Sequence, residues 1–468
     1  MPVGSPLSPL RVAIVGSGPA GFYAAEHLLS HEGVNVQVDM FDRVPTPFGL
    51  VRAGVAPDHQ KIKSVARVYE ATAANERFRF RGHVEVGRHI SHQDLMEYFH
   101  AVIYAVGASA DRRLGIPHEY LPGSHSGPEF VAWYNASPLD RSRTYDFSGS
   151  RAVVVGNGNV AMDIARMLVL PPEELARTDM ARHAVAALRN GNLREVVMLG
   201  RRGPAQAAFT PKELREVAER DDIDVIVRPE DLVLDPHSLH DAEQHPDRNR
   251  DKNLAILGEL AARGDRGRDR RIIMRFLTSP VALQGTDHVD GIEVARNELY
   301  RGDRGTLRAR MTDEREMVPT GLVFRAIGYQ GVPIPGVPFN PVTSTIPTEA
   351  GRAINPLDGS PMYGEYATGW IKRGPTGIIG TNKPDAQETV ETLLQDLRAG
   401  HLERDVPARR VLARLVRERQ GELTSWEDWR YLDGIEQQMG EEVGAPRIKV
   451  ARVETMMRFL RERDEGGI

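Results

Sequence analysis

The chain has 468 residues, with 60 Lys and Arg against 65 Asp and Glu, a net charge of −5 and 41% hydrophobic residues. This is ordinary globular composition, long enough for about three domain-sized units, and its charge balance argues against nucleic-acid binding. It contains no cysteine, which excludes disulfides, thiolate nucleophiles, Cys-ligated zinc or iron–sulfur clusters and a Cys-x-x-Cys relay, so any redox chemistry needs a non-protein cofactor.

The first strand is expected at residues 11–15, after a short Pro/Ser-rich start without a signal-peptide core, which predicts a cytoplasmic protein. A turn with Gly16, Gly18 and Gly21 comes next, then a helix to about Ser30, then a strand at 36–41 ending on Asp42. The longest apolar runs, such as 102–107, fall far short of the roughly 20 residues a membrane span needs. The strand–turn–helix order recurs at 151–155, with Gly156, Gly158 and Ala161 in the turn and a helix to Leu168. After an inserted segment, 171–192, the next strand is expected at 195–200 and ends on Arg201 and Arg202. Two polar stretches, 235–245 with three His and 263–271 with its arginines, are expected to be a solvated insertion and a solvated turn, and no metal site is expected. Strands resume at 271–276, 291–295 and 321–327. After Ala386 the chain reads as charged helices, the last one amphipathic around Val453, Met457 and Leu460. Alternating strands and helices predict a parallel, doubly wound sheet.

Each Gly-x-Gly-x-x-Gly/Ala turn directly succeeds a buried strand and opens a helix, whose N-terminal N–H groups and dipole attract a pyrophosphate. The two modules differ at the end of their second strands. Asp42, in the first module, is suited to a ribose diol. Arg201 and Arg202, in the second, stand where an acid would hold a 2′-hydroxyl and can instead clamp a 2′-phosphate. The first module therefore reads as a site for FAD, the second for NADP.

Longer stretches resemble one family almost end to end, the adrenodoxin reductase-type ferredoxin–NADP reductases. They are Ile14-Val-Gly-Ser-Gly-Pro-Ala-Gly-Phe-Tyr-Ala-Ala25, Pro45-Thr-Pro-Phe-Gly-Leu-Val-Arg-Ala-Gly-Val-Ala-Pro-Asp-His59, Gly156-Asn-Gly-Asn-Val-Ala-Met-Asp163, Arg201-Arg-Gly203, Ala208-Phe-Thr-Pro-Lys-Glu-Leu-Arg-Glu216 and Gly369-Trp-Ile-Lys-Arg-Gly-Pro-Thr-Gly-Ile-Ile-Gly-Thr-Asn382. The tail, Ser425-Trp-Glu-Asp-Trp429 and Pro446-Arg-Ile-Lys449, is similar as well. The resemblance implies an α/β flavoprotein with two Rossmann-like dinucleotide-binding domains, an FAD domain (1–110 and 328–468) split by an inserted NADP domain (111–327). It implies FAD along Gly16, Gly18, Pro19, Ala20 and Gly21, with Asp42 at the adenosine ribose, Leu50 also on the cofactor, and Trp370, Gly377 and Ile378 near the isoalloxazine. NADPH would lie along Gly156, Asn157, Gly158, Asn159 and Val160, with Arg201, Arg202 and Glu213 around its adenosine phosphate. His59 and Glu216 match residues near the flavin–nicotinamide region, where an imidazole beside a carboxylate suits proton handling.

The helix signalled by Pro384 and Asp385 is expected to aim its N-terminus at the pyrimidine edge of the flavin, with capping by Asp385 as the alternative. Two departures from the family stand out, His118 within Pro117-His-Glu119, where Pro-Gly-Glu is common, and His100, where an acid is common. The activity implied is hydride transfer from NADPH to FAD and single-electron release to a ferredoxin-type iron–sulfur protein. Alternatives are an NADPH diaphorase or quinone reductase of the same fold, a flavoprotein electron-transfer subunit, and a non-catalytic FAD/NADP sensor. Arg52, Lys61, Lys63 and Arg67 are expected to form a basic face for an acidic partner.

Overall fold

The computed structural model describes residues 2–302 and 305–466. The chain forms two compact units, Met1–Ala110 with Asn135–Arg141 and Tyr329–Ile468, and Asp111–Tyr134 with Ser142–Gly328. The seven residues Asn135–Arg141 thus return to the first unit from within the second, a crossing with no signal in the hydrophobic pattern.

The first unit is built on a seven-stranded sheet in the order Thr348–Glu349, Arg352–Ile354, Pro361–Ala367, Ala101–Tyr104, Leu10–Val15, Val36–Phe41, Phe78–Arg81. The last five run parallel, and the first two add an antiparallel edge. Leu10–Val15 is buried along its whole length. Val12 and Ile14 join one core with Phe22 and Leu393, while Ala13 and Val15 join another with Phe41, Leu412 and Val416. A strand covered on both faces must be continuously apolar, which is why it reads as a solid hydrophobic run. Helices Pro19–Ser30 and Asn382–Arg398 pack together on the first of these faces. The strand order reverses between Leu10–Val15 and Ala101–Tyr104, and in open parallel sheets ligands bind at such a switch point, beyond the strands' C-terminal ends.

The second unit has a six-stranded sheet, Ser124–Ser126, Val323–Arg325, Arg151–Val155, Glu195–Leu199, Arg270–Arg275, Ile223–Val227, parallel throughout. An antiparallel meander, Thr278–Gln284, Gly291–Arg301 and Leu307–Pro319, covers one face, bringing Leu283, Ile292, Val294 and Val318 onto Val153, Val155, Val197 and Leu199. The strand expected at 291–295 is therefore the start of a much longer one. The inserted segment 171–192 holds helices Pro172–Leu175 and Arg182–Arg189.

Both polar stretches are more ordered than expected. Asp235 caps helix Pro236–Gln244 by accepting the N–H groups of His237 (2.9 Å) and Ser238 (3.1 Å), and the buried Ser238 hydroxyl takes a hydrogen bond from Gln206 (3.0 Å). Within 263–271, Arg266 donates to the buried Asp224 (2.8 Å) and to the carbonyls of Arg220 (3.0 Å) and Ile223 (2.6 Å). It staples the edge of the sheet and is not a solvated turn residue. Among the described residues no helix is long and apolar enough to cross a membrane.

Candidate cofactor sites

The first turn uses each glycine for a different reason. At Gly16 (φ +104°) a Cβ would lie 2.5 Å from the Ala105 carbonyl oxygen, and at Gly21 it would lie 2.2 Å from the Gly16 carbonyl oxygen. Both positions admit only hydrogen. Gly18 has nothing within 4 Å of such a Cβ, so its missing side chain leaves open space where a pyrophosphate can approach. Helix Pro19–Ser30 starts there with Gly18 as N-cap and no side-chain cap, and Ala20 and Gly21 sit in its first turn. Orphan N–H groups at an uncapped helix start are an anion cradle.

Asp42 lies just past the end of the Val36–Phe41 strand. Its Oδ2 accepts the Ser17 N–H (3.0 Å) and the Ser17 hydroxyl, and its Oδ1 accepts the Val44 N–H (3.1 Å). Burial pushes this carboxyl above its ordinary value, against the pull of those bonds. The acid therefore already fastens Ser17, a contact that residue spacing alone does not signal.

The 45–54 segment closes over the turn. The Phe48 N–H donates to the Ser17 carbonyl (2.9 Å), and a Cβ on Gly49 would meet the Gly18 Cα at 2.9 Å. Leu50 opens the short helix Leu50–Ala53 and is 37% exposed. From the C-terminal part, Gly369 (φ +77°) packs on Ala20, and Trp370 comes next in helix Trp370–Arg373, its indole N–H bound to the Thr376 carbonyl (3.0 Å). Gly377 (φ +81°) would press a Cβ onto Thr381 at 2.7 Å, and Ile378 is 71% exposed. Asp385, in the first turn of Asn382–Arg398, does not cap its own helix. It accepts the Gly369 N–H (2.5 Å) and the Thr368 hydroxyl (3.1 Å) and pairs with Lys372 (2.9 Å) and Arg373 (3.0 Å), tying the Trp370 segment to the helix.

The second turn repeats the logic. Gly156 (φ +140°) would place a Cβ 2.3 Å from the Ala326 carbonyl oxygen, while Gly158 meets nothing closer than the Ala208 Cβ at 4.0 Å. Helix Asn159–Val169 starts on Gly158 without a side-chain cap and carries Val160 and the buried Ala161 in its first turn. Asn159 accepts the Thr210 N–H (2.8 Å) and the Asn157 carbonyl accepts those of Ala208 (2.9 Å) and Phe209 (3.1 Å). The buried Asn157 Nδ2 has no hydrogen-bond partner. Arg201 is exposed and Arg202 half-buried, and Arg202 is held below its ordinary value by burial and then by Arg201. Among the described residues neither guanidinium has an acidic partner, in a chain where most buried arginines do.

A family model described as pyridine nucleotide-disulphide oxidoreductase matches residues 10–225. NADPH-ferredoxin reductase FprA of Mycobacterium tuberculosis (strain ATCC 25618 / H37Rv) is 47% identical over 464 residues, covering 97% of this chain and 99% of that one. The chain belongs to the adrenodoxin reductase-type ferredoxin–NADP reductase family. NADPH:adrenodoxin oxidoreductase, mitochondrial, of Arabidopsis thaliana is 38% identical, covering 96% of this chain and 95% of that one. The solved structure of M. tuberculosis FprA in complex with NADPH superposes with a TM-score of 0.91 at 47% identity, covering 96% and 99% of the two chains. Without a cysteine, this member of the family has no dithiol for disulphide chemistry.

The remaining residues singled out for the reductase lie in both units. In the first, His59 is the N-cap of helix Gln60–Lys63, its carbonyl accepting the Ile62 (3.0 Å) and Lys63 (3.2 Å) N–H groups. In the second, Glu213 and Glu216 share helix Pro211–Ala218. Glu216 lies 3.8 Å from Arg166 and 3.5 Å from Lys212, and Arg166 also pairs with Asp163 (2.7 Å). Glu213 is buried, its Oε2 has no hydrogen-bond partner, and burial, then Asp163 and Glu216, push its carboxyl up.

Arg52 corrects the expected basic face. It is buried and clamped by Glu436 at 2.8 and 2.5 Å, whereas Lys61 and Arg67 are exposed. Nothing in the residues around Glu436 distinguishes a buried acid from a solvated one. The two departures also acquire reasons. His118 occupies the left-handed region (φ +63°) that favours glycine, held there by its Nδ1 contact with the Leu283 carbonyl (3.1 Å). The buried Glu119 accepts the N–H groups of Leu114 (2.7 Å) and Gly115 (2.9 Å) and faces Arg325 at 3.4 Å. His100 is buried, and its Nδ1 accepts the Arg11 N–H (2.9 Å).

Proposed function

We propose that this chain is an NADPH-dependent ferredoxin reductase that holds FAD in its first unit and NADP(H) in its second. The observation that carries the reading is the contrast between two equivalent modules, one ending its second strand on Asp42 and the other on Arg201 and Arg202, two guanidiniums without an acidic partner. Arg202, half-buried without a counter-ion, costs free energy unless an anion completes it, and a 2′-phosphate is the anion that a dinucleotide brings to this strand end. The open space at Gly18, the uncapped helix starts and the unpartnered Asn157 amide fit two pyrophosphates equally well.

When bound, FAD supplies the hydride-accepting chemistry and the release of single electrons to a ferredoxin-type iron–sulfur protein. The chain's own residues do the rest. Gly16, Gly18, Pro19, Ala20 and Gly21 shape the pyrophosphate cradle, Asp42 takes the ribose hydroxyls while holding Ser17, and Leu50, Trp370, Gly377 and Ile378 bound the isoalloxazine end. Gly156, Asn157, Gly158, Asn159 and Val160 cradle the second pyrophosphate. His59 and Glu216 handle protons at the reactive end. Glu213, three residues and about 4.5 Å of axial rise before Glu216, lies with Arg201 and Arg202 around the adenosine phosphate. A cytoplasmic setting is part of this proposal.

Heating purified protein should release FAD, identified by chromatography, and anaerobic NADPH should bleach the flavin absorbance. NADPH-driven cytochrome c reduction should then require added ferredoxin. A colourless protein that cannot be reconstituted overturns the reading. A rate that ferredoxin leaves at the dye background replaces it with the diaphorase reading.

A further inference from the structure

The 45–54 segment reaches the first glycine turn in a strained shape. Phe48 sits at φ +83° and Gly49 at φ +48°, and a residue with a side chain avoids the first of these unless its surroundings impose it. The strain is what lays Phe48 and Gly49 against Ser17 and Gly18.

Much of what imposes it comes from the far end of the chain. The Phe48 ring is boxed by Phe22 (5.5 Å between centroids), Tyr69 (6.0 Å), Trp426 (6.0 Å) and Trp429 (5.8 Å). Arg52 lies over the Trp429 ring at 5.0 Å and forms the two-pronged pair with Glu436, which is 384 residues away and 1% exposed. Lys449, itself buried, donates to the Arg52 carbonyl (3.0 Å) and to Asn135 (3.0 Å), and the Val450 N–H donates to Glu436 (2.8 Å). The tail helix Trp426–Glu441 and the extended 446–450 stretch thus grip both ends of the strained segment.

We infer that Arg52 and Glu436 are positioning residues for the flavin cofactor, their buried fork keeping Phe48 and Gly49 seated on the pyrophosphate turn. A buried ion pair adds little stability over apolar side chains of the same size, whereas the planar fork fixes direction and distance. That makes it suited to holding a loop in register over a ligand. Strained backbone clusters where a ligand is clamped, and here the strain and the fork lie within one short segment. The inference rests on the FAD reading of this turn.

The test uses purified holoenzyme and its Glu436→Gln and Arg52→Lys variants. Three quantities are compared, the rate of FAD release followed by flavin fluorescence, the affinity for NADP+, and the thermal midpoint of the apoprotein by circular dichroism. FAD release should be at least tenfold faster in Glu436→Gln and intermediate in Arg52→Lys, which keeps the charge but loses the fork. NADP+ affinity should match wild type in both variants, and the apoprotein midpoint should hold in Arg52→Lys, which keeps the buried charge paired, and fall in Glu436→Gln, where Arg52 is left buried without a counter-charge. Unchanged FAD release in both variants overturns the inference, as does faster release in Arg52→Lys matched by a lower apoprotein midpoint in that variant, which makes the pair merely structural. If Glu436→Gln does not accumulate as folded protein, the same criteria applied to Arg52→Lys decide it. Wild-type protein that never holds FAD defeats the function reading instead.

Discussion

Gly369 and Ala20 touch so closely that a Cβ on Gly369 would stand 2.6 Å from the Ala20 Cβ. The segment carrying Trp370 is therefore seated directly on the first turn of helix Pro19–Ser30, the candidate flavin cradle. The two halves of the first unit meet at this glycine turn, and a single methyl group at Gly369 (φ +77°) would both strain the backbone and push the halves apart.

The glycines of the first turn should separate fold from ligand. Gly16→Ala drives a methyl into the Ala105 carbonyl at positive φ and should lower apoprotein stability by about 1–3 kcal/mol in urea unfolding. Gly18→Ala has open space and should leave that stability within about 0.5 kcal/mol, yet lose FAD at least tenfold more readily. Equal effects of the two on stability would refute the assignment of Gly18 to the pyrophosphate.

Coenzyme choice should depend on Arg201 and Arg202. Each charged contact with a 2′-phosphate is worth on the order of 1.5–3 kcal/mol, so the double Arg→Ala variant should weaken NADPH by a few orders of magnitude and spare NADH. Loss of both coenzymes to the same extent in steady-state assays would remove the phosphate role.

His59→Gln and Glu216→Gln should retain FAD but alter the rate of flavin reduction by NADPH or its pH dependence, measured by stopped flow between pH 6 and 9. Rates matching wild type across that range in both variants would return these residues to a structural role.

Acid should loosen the fold through two histidines. His100 is pushed down to about 4 by burial and then by Arg404 and Arg11, and His125 to about 4 by burial and then by Arg325 and Arg143. The unfolded chain takes up these protons near 6.5, the folded chain only near 4, so the stabilisation is complete above 6.5 and is lost as pH falls from 6.5 to 4. His100 should contribute on the order of 2–3 kcal/mol. Asp42 and Glu213, whose carboxyls are pushed up mainly by burial, act with the opposite sign. The urea midpoint should be flat above pH 7 and fall below 6.5, with a shallower fall in His100→Gln.

Partner docking should depend on the cations that remain at the surface. Reversing Lys61 and Arg67 to Glu should slow ferredoxin-dependent cytochrome c reduction roughly tenfold at low salt and flatten its salt dependence, because steering is screened beyond about 8–10 Å. NADPH-driven reduction of a small neutral dye should not change. Identical salt slopes in variant and wild type would move the docking face elsewhere.

The parts of the cofactor sites legible in the sequence are those built from local chemistry. Gly16, Gly18 and Gly21 punctuate a buried strand and a helix, and Asp42 and Arg201 end strands whose apolar runs are unmistakable. What the sequence concealed depends on distant partners. Arg52 reads as a surface cation because Glu436 lies in another helix, and Arg266 reads as solvated because nothing nearby shows that Asp224 is buried. Only the start of the long meander strand is legible, because Leu307–Pro319 is exposed along most of its length and its charges leave no alternation to read.

The interruption of the first unit also sets an order of synthesis. Its strand Pro361–Ala367 completes the sheet against Ala101–Tyr104, but only after the whole of the intervening unit has left the ribosome. At about 5–20 residues per second, the hydrogen-bonding edge of Ala101–Tyr104 waits on the order of ten seconds or more for its neighbour. The inserted unit can close first, while the nascent N-terminal sheet carries an open edge prone to mispairing. Slowing translation across the insertion should therefore lower the yield of soluble protein more than slowing it after Ala367.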